Sequence, residues 1–187
     1  MKHSEIKTHI IKTASDLFYN NGYNLTGINE IISEAGIAKA TLYNHFKSKE
    51  DICISYLNYK NDAFLRLIKD FISSKENGIP RIIAILEFLQ LFYNDSKFNG
   101  CWCINTISEL PKENVKVRSE IQKQKKDFLE FIEEIISKNL PNKTKEETAS
   151  LSKQIYLLYE SAVAESYLHQ NDWPIKSAIH LCKKIID

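Results

Sequence analysis

Glycine and proline are scarce in this chain, five and four among 187 residues. Most of them stand between runs whose apolar residues recur three and four positions apart. Sheet proteins need many tight turns, and those turns draw on both residue types. A chain this poor in both, with helical spacing on either side of them, is confined to helices joined by short breaks. Ile6, Ile10, Ala14, Leu17 and Phe18 make the first stripe, ended by Asn20-Asn21-Gly22. Thr26 stands where a helix N-cap belongs, ahead of Ile28, Ile31, Ile32 and Ala35. Gly36 stops that run, and Ala38, Leu42 and Phe46 form a third inward stripe. Ser48 and Asp51 open a long helix carrying Ile52, Tyr56, Ala63, Leu67 and Phe71. Breaks at 75–78, 98–100, Pro111 and 141–143 separate four further helices. Thr144 and Glu147 there have the spacing of a capping box, and Trp173-Pro174 restarts a last helix. The expectation is an all-α chain of about nine helices.

Charge then narrows the function classes. Lysine and arginine number 25 against 24 acids, a net charge of +1. That excludes a protein that coats nucleic acid by bulk charge, and equally an acidic solvating tail. The most apolar run, Ile82 to Tyr93, is interrupted by Glu87 and Gln90. It falls short of the roughly 20 residues of a membrane span, so no membrane partner is expected. The N-terminal MKHSEIKTHI has no apolar core of a signal peptide. A cytoplasmic protein is expected, with Cys53, Cys101, Cys103 and Cys182 as free thiols. No phosphate loop, nucleophile–base motif or metal-ligand spacing is present, so the expectation is no enzyme, no metal and no cofactor.

Residues 26–49, TGINEIISEAGIAKATLYNHFKSK, are the informative part. They read as a helix, a glycine turn and a second short helix. From Ile37 to Lys49 there are three lysines, one histidine and no acid. Lys39, Ala40, Tyr43, Asn44 and Lys47 fall outside the inward stripe, with Thr41 and His45 at its margins. Small residues let a backbone approach a major groove, hydroxyls and amides reach base edges, and lysines bond phosphates. A helix-turn-helix places its second helix in that groove.

The run from Thr26 to Ile52 resembles the DNA-binding segment of TetR-family transcriptional repressors. The markers are Phe18, Gly22, Thr26, Ile31, Ala35, Gly36, Lys39, Thr41, Leu42, Tyr43, Phe46, Lys49 and Glu50. Ala38 departs from the pattern, where the family often has a serine or threonine cap worth about 1 kcal/mol. The resemblance implies a homodimer that binds a double-stranded DNA operator and is released by a small-molecule effector. It implies a helix-turn-helix domain over 1–47 and a ligand-binding and dimerisation domain over 48–187. It also assigns phosphates to Tyr43, His45 and Lys49. Lys39, Ala40, Thr41 and Asn44 are the expected readers of base edges, and Thr26 joins the DNA-binding set. The three arginines, Arg66, Arg81 and Arg118, all lie outside this segment. Bidentate guanine recognition by arginine is therefore not open to the recognition helix.

The stretch Gly100-Cys101-Trp102-Cys103-Ile104-Asn105, with Glu109 beyond it, resembles a subgroup pattern at the start of the sixth helix. Cys101 and Cys103 read either as small core residues or as thiols that sense oxidants or electrophiles. Phe64, Phe88, Phe92, Trp102, Phe128, Tyr156 and Tyr159 are the candidate ligand-binding aromatics, with Asn105, Glu109 and Glu160 as polar anchors. The dimer interface is expected from the last two helices, through Ile155, Tyr159, Ala162, Val163, Ala164, Ser166, Tyr167, Ile175, Ala178, Cys182 and Ile185. A helical adaptor without DNA binding has the same periodicity, and salt-dependent DNA affinity separates the two.

Overall fold

Nine helices and no strand are formed by residues 3–186, the part of the chain described by the computed structural model. They are α1 (His3–Asn21), α2 (Ile28–Glu34), α3 (Lys39–His45), α4 (Lys49–Ser73), α5 (Ile79–Tyr93), α6 (Trp102–Ser108), α7 (Val115–Asn139), α8 (Lys145–His169) and α9 (Trp173–Ile186). Local chemistry sets several of their ends. The Asp51 amide donates to Ser48 Oγ at 3.1 Å before α4. Pro80 occupies the first turn of α5, where a missing amide hydrogen costs nothing. The capping box before α8 is formed in both directions. Glu147 N donates to Thr144 Oγ1 at 3.2 Å, and Thr144 N donates to Glu147 Oε2 at 2.7 Å.

The helices fall into two compact units. The first spans Met1–Ala63 and Trp102–Lys123, and the second Phe64–Cys101 and Gln124–Asp187. α4 and α7 each give residues to both. The expected boundary at residue 47 lies inside the first unit, which also takes in the start of α4, all of α6 and the start of α7.

In the first unit Ile10, Ala14, Phe18, Ile31, Leu42, Phe46, Ile52 and Tyr56 are buried. The Phe18 ring lies 5.6 Å from that of Tyr56. Each short helix has too narrow an apolar stripe to stand alone, and α1 supplies the surface that covers it. Thr26 is a correction. It is fully buried, and its hydroxyl donates to Gly22 O at 2.8 Å. Gly27 is the N-cap of α2 instead, its amide donating to Glu30 Oε2 at 3.2 Å.

In the second unit α8 packs on α9, and α5 packs on both. Ile82, Ile85, Leu86, Leu89, Ile132, Ile136, Leu151, Ile155 and Ile175 are buried there. The inner stripe of α4 rotates as it enters this unit. Phe64, Ile68 and Ile72 are buried while Leu67 is exposed, so the expected Ala63–Leu67–Phe71 stripe is displaced by one residue. From Ile52 and Tyr56 onward the buried positions fall at multiples of four, a row that winds slowly around a helix of 3.6 residues per turn. No helix is long and apolar enough to cross a membrane among the described residues.

Candidate nucleic-acid interface

The helix-turn-helix is built from a glycine and two anchors. Gly36 has φ +60, and the turn bonds back onto α2 through Gly36 N to Ser33 O and Ile37 N to Ile32 O. The left-handed conformation needed at that point is the one glycine adopts without strain. Ala38 follows in extended conformation as the N-cap of α3, with no side-chain cap bond and its own side chain exposed rather than inward. Leu42 and Phe46, fully buried and 3% exposed, pin α3 to the core. Lys39, Ala40, Tyr43 and Asn44 are left exposed on one continuous face, with Lys47 just beyond it and Thr41 half-buried at its edge.

Two of the expected phosphate contacts are engaged within the protein. The His45 ring packs edge-on against His3 at 4.1 Å between centroids, and its buried Nδ1 has no hydrogen-bond partner. Burial, then the charges of His3 and Lys7, hold its pKa below the usual histidine value, which favours the neutral ring. The Lys49 ammonium lies 4.3 Å from the centroid of the Tyr23 ring, and burial lowers its pKa. The Tyr23 hydroxyl is pushed up to about 12, chiefly by burial. Glu50 and Asp51 follow Lys49 in the first turn of α4, and both pair with Lys116. The α4 N-terminus is therefore already surrounded by acids.

Residues 10–55, which run from the middle of α1 into α4, match the family model of the bacterial regulatory proteins, tetR family. Over that stretch the chain is similar to the TetR family of bacterial regulators. Among relatives, the fatty acid metabolism regulator protein of Bacillus subtilis is 28% identical over 132 residues, covering 70% of this chain and 66% of that one. The HTH-type transcriptional repressor NemR of Escherichia coli is 22% identical over 192 aligned residues, covering 99% and 96%. A TetR-family transcriptional regulator from Streptomyces coelicolor has the same fold, with a TM-score of 0.87 at 21% identity, covering 98% of this chain and 95% of that one. The relatives are regulators, in keeping with a chain that carries no enzyme motif.

Elsewhere in the chain the candidate ligand residues divide between the two units. Phe64, Phe88, Phe128 and Tyr159 meet in the second unit with ring centroids 5.0–6.2 Å apart, and Tyr156 lies 6.2 Å from Phe128. The Phe92 ring lies 5.5 Å from that of Phe98. Glu160 pairs with Lys125 at 2.6 Å. Burial raises its pKa and the lysine opposes that rise. Trp102, Asn105 and Glu109 sit in the first unit. Trp102 is 8% exposed, with the Lys60 ammonium 5.7 Å from its ring. Glu109 is a correction, because its carboxylate binds the turn between α1 and α2 instead of joining the aromatics.

None of the four cysteines is in a disulfide. Cys53 and Cys182 are pushed up by burial to about 12 and about 11, which keeps them as unreactive thiols at neutral pH. Cys103 is buried, whereas Cys101 is half-buried with Lys125 Nζ 3.3 Å from its sulfur. Most of the residues expected at a dimer interface are buried within the chain itself. Ile155, Tyr159, Ala162, Val163, Ser166, Ile175, Ala178 and Cys182 are all at most 5% exposed, filling the core of their own protomer. Ile185 is half-buried, while Ala164 and Tyr167 are exposed. The outward face of α8 carries Leu157, Ser161, Ala164 and Leu168, and that of α9 carries Trp173, Ser177 and Leu181. A furrow of about 150 Å³ runs between the two helices, floored by Ala162 and Ala178 and flanked by Trp173 and Leu181.

Proposed function

We propose that this chain is a repressor that binds a paired-half-site operator as a homodimer and leaves it when a small molecule occupies the second unit. The observation that carries the DNA reading is the acid-free exposed face of α3, with Lys39, Ala40, Tyr43 and Asn44 presented by a helix anchored through Leu42 and Phe46. The division at residue 47 then separates operator contact, 1–47, from effector binding and dimerisation, 48–187. The exposed apolar side chains Leu157 and Leu168 on α8 and Trp173 and Leu181 on α9 support dimerisation, since exposed apolar surface marks interaction sites. The name of the NemR relative, a transcriptional repressor, supports the repressor reading, and a regulator that acts on DNA works in the cytoplasm. Phe64, Phe88, Phe128, Tyr156 and Tyr159, with Glu160 beside them, are the residues around which an apolar effector is bound.

Selection of bound sequences from random duplex DNA tests this reading. The wild type selects a two-fold repeated site. Lys39→Ala loses about 1–3 kcal/mol at one base pair per half-site and accepts other bases there. Unchanged affinity and sequence preference in Lys39→Ala rejects the assignment.

A second reading is favoured by the contact between Lys125 and Cys101. An ammonium beside a half-buried sulfur stabilises its thiolate, so an electrophile or oxidant is the effector in this version. Mass spectrometry after treatment with N-ethylmaleimide, alongside a DNA-binding assay, separates the two. Operator release that follows alkylation of Cys101, and is absent in Cys101→Ser, selects the thiol. Release unaffected by Cys101→Ser excludes it.

A further inference from the structure

Asn24 and Glu109 are 85 residues apart in sequence and joined by two hydrogen bonds. The Asn24 backbone N–H donates to Glu109 Oε2 at 2.7 Å. The Asn24 side-chain amide donates to the Glu109 carbonyl oxygen at 2.9 Å. Gly22 lies against the same carboxylate. A Cβ there would stand 2.6 Å from Glu109 Oε1, and Gly22 has φ +90, so a side chain is opposed by both space and backbone. The end of α6 thus grips the turn between α1 and α2 from two sides.

That turn carries the DNA-binding surface. Thr26 bonds to Gly22 O at its base, and Tyr23 within it holds the Lys49 ammonium. Other polar contacts from the α6–α7 segment go to α4, where Lys116 pairs with Glu50 and Asp51 and Thr106 hydrogen-bonds with Tyr56. The apolar core beneath holds the helices together without prescribing a direction. Hydrogen bonds are directional, and one to a carboxylate is stronger than a neutral one. Both Asn24 bonds lie at the exposed edge of the unit, where they add little to global stability and most to orientation.

We infer that Glu109 is a positioning residue for operator recognition. Together with Gly22 and Asn24 it sets the angle at which α2 and α3 are carried, and so the half-site spacing that a dimer accepts. This rests on the paired-half-site reading, in which two α3 helices must meet grooves one helical turn, about 34–36 Å, or a multiple of it apart.

The test uses the full-length protein and a duplex library in which the selected half-sites are separated by varied spacers. The wild type shows a single sharp spacing optimum. Glu109→Leu, which removes the side-chain acceptor, binds that optimum about tenfold more weakly and accepts neighbouring spacings, with an unchanged thermal midpoint. Glu109→Gln keeps an acceptor oxygen and restores the wild-type spacing profile. Asn24→Ala, which loses one of the two bonds, broadens the profile less. A Glu109→Leu protein with the wild-type optimum and width overturns the inference. So does one that weakens equally at every spacing in step with a fall in its thermal midpoint. A wild type that selects no paired half-sites overturns the operator reading and this inference with it.

Discussion

Leu157→Glu combined with Leu168→Glu converts the proposed dimer into a monomer at micromolar concentration and weakens operator binding by about 10²–10⁴-fold. Both leucines are among the most exposed apolar side chains of the molecule, 63% and 70% accessible, on the outward face of α8. Trp173 and Leu181 on α9 are also exposed, at 50% and 46%. Placing two carboxylates in an apolar interface without partners costs several kcal/mol per buried charge, more than an interface of this kind can absorb. A monomer holds one half-site, and the second contact no longer benefits from being tethered. Sedimentation measures the first effect and titration of operator DNA at one fixed salt concentration measures the second. The substituted positions face water in the protomer, so its helix content stays unchanged. A variant that still sediments as a dimer and binds operator normally places the interface elsewhere. Ile155→Ala is the matching control, because it removes core packing at a position with no exposure and leaves the outer face intact.

Phe128→Ala lowers the unfolding free energy by about 3–5 kcal/mol, read as a shift of the denaturant midpoint with the slope unchanged. Phe128 is 4% exposed, and its ring meets Phe64 at 5.2 Å and Tyr159 at 5.0 Å, both nearly edge to face. Phe131 and Tyr156 lie further out, at 6.4 and 6.2 Å. Rings so arranged contribute beyond the area they bury, and the void left by truncation is lined by residues that cannot all relax into it. A loss below about 1 kcal/mol would mean that the ring borders an open space and not a packed one. The two outcomes separate an effector site that already exists from one that opens by moving these rings apart.

Much of the first fifty residues was readable before the structure. The stripe of α1, the glycine turn after α2 and the buried pair Leu42 and Phe46 all follow from spacing, because they depend on neighbours within one or two helical turns. The Ser48 and Thr144 caps were legible for the same reason. Thr26 was misplaced as a cap by a single position, and Ala38, rightly read at the cap position, has its side chain outward and not inward. The hydroxyl of Thr26 had a competing acceptor in Gly22 O, and the alanine at a helix start gave no chemical sign of its direction. Further along, the α4 stripe was displaced by one residue. For the interface, spacing points to the apolar side of α8 and α9, which the chain buries for itself, while the exposed side holds fewer apolar residues and gives a weaker pattern.

Helix content, the breaks between helices, the acid-free recognition helix and the family resemblance were set by the sequence alone, since each depends on residues adjacent along the chain. The tertiary structure decided which of two plausible faces of α8 and α9 is covered. It also decided that Glu109 grips Asn24 and Gly22 instead of serving an effector site, and that Lys125 lies between Cys101 and Glu160. Those pairings join residues tens of positions apart. Nothing in local spacing chooses among many possible polar partners, and the choice is made only when the apolar stripes pack and bring particular side chains within hydrogen-bond reach.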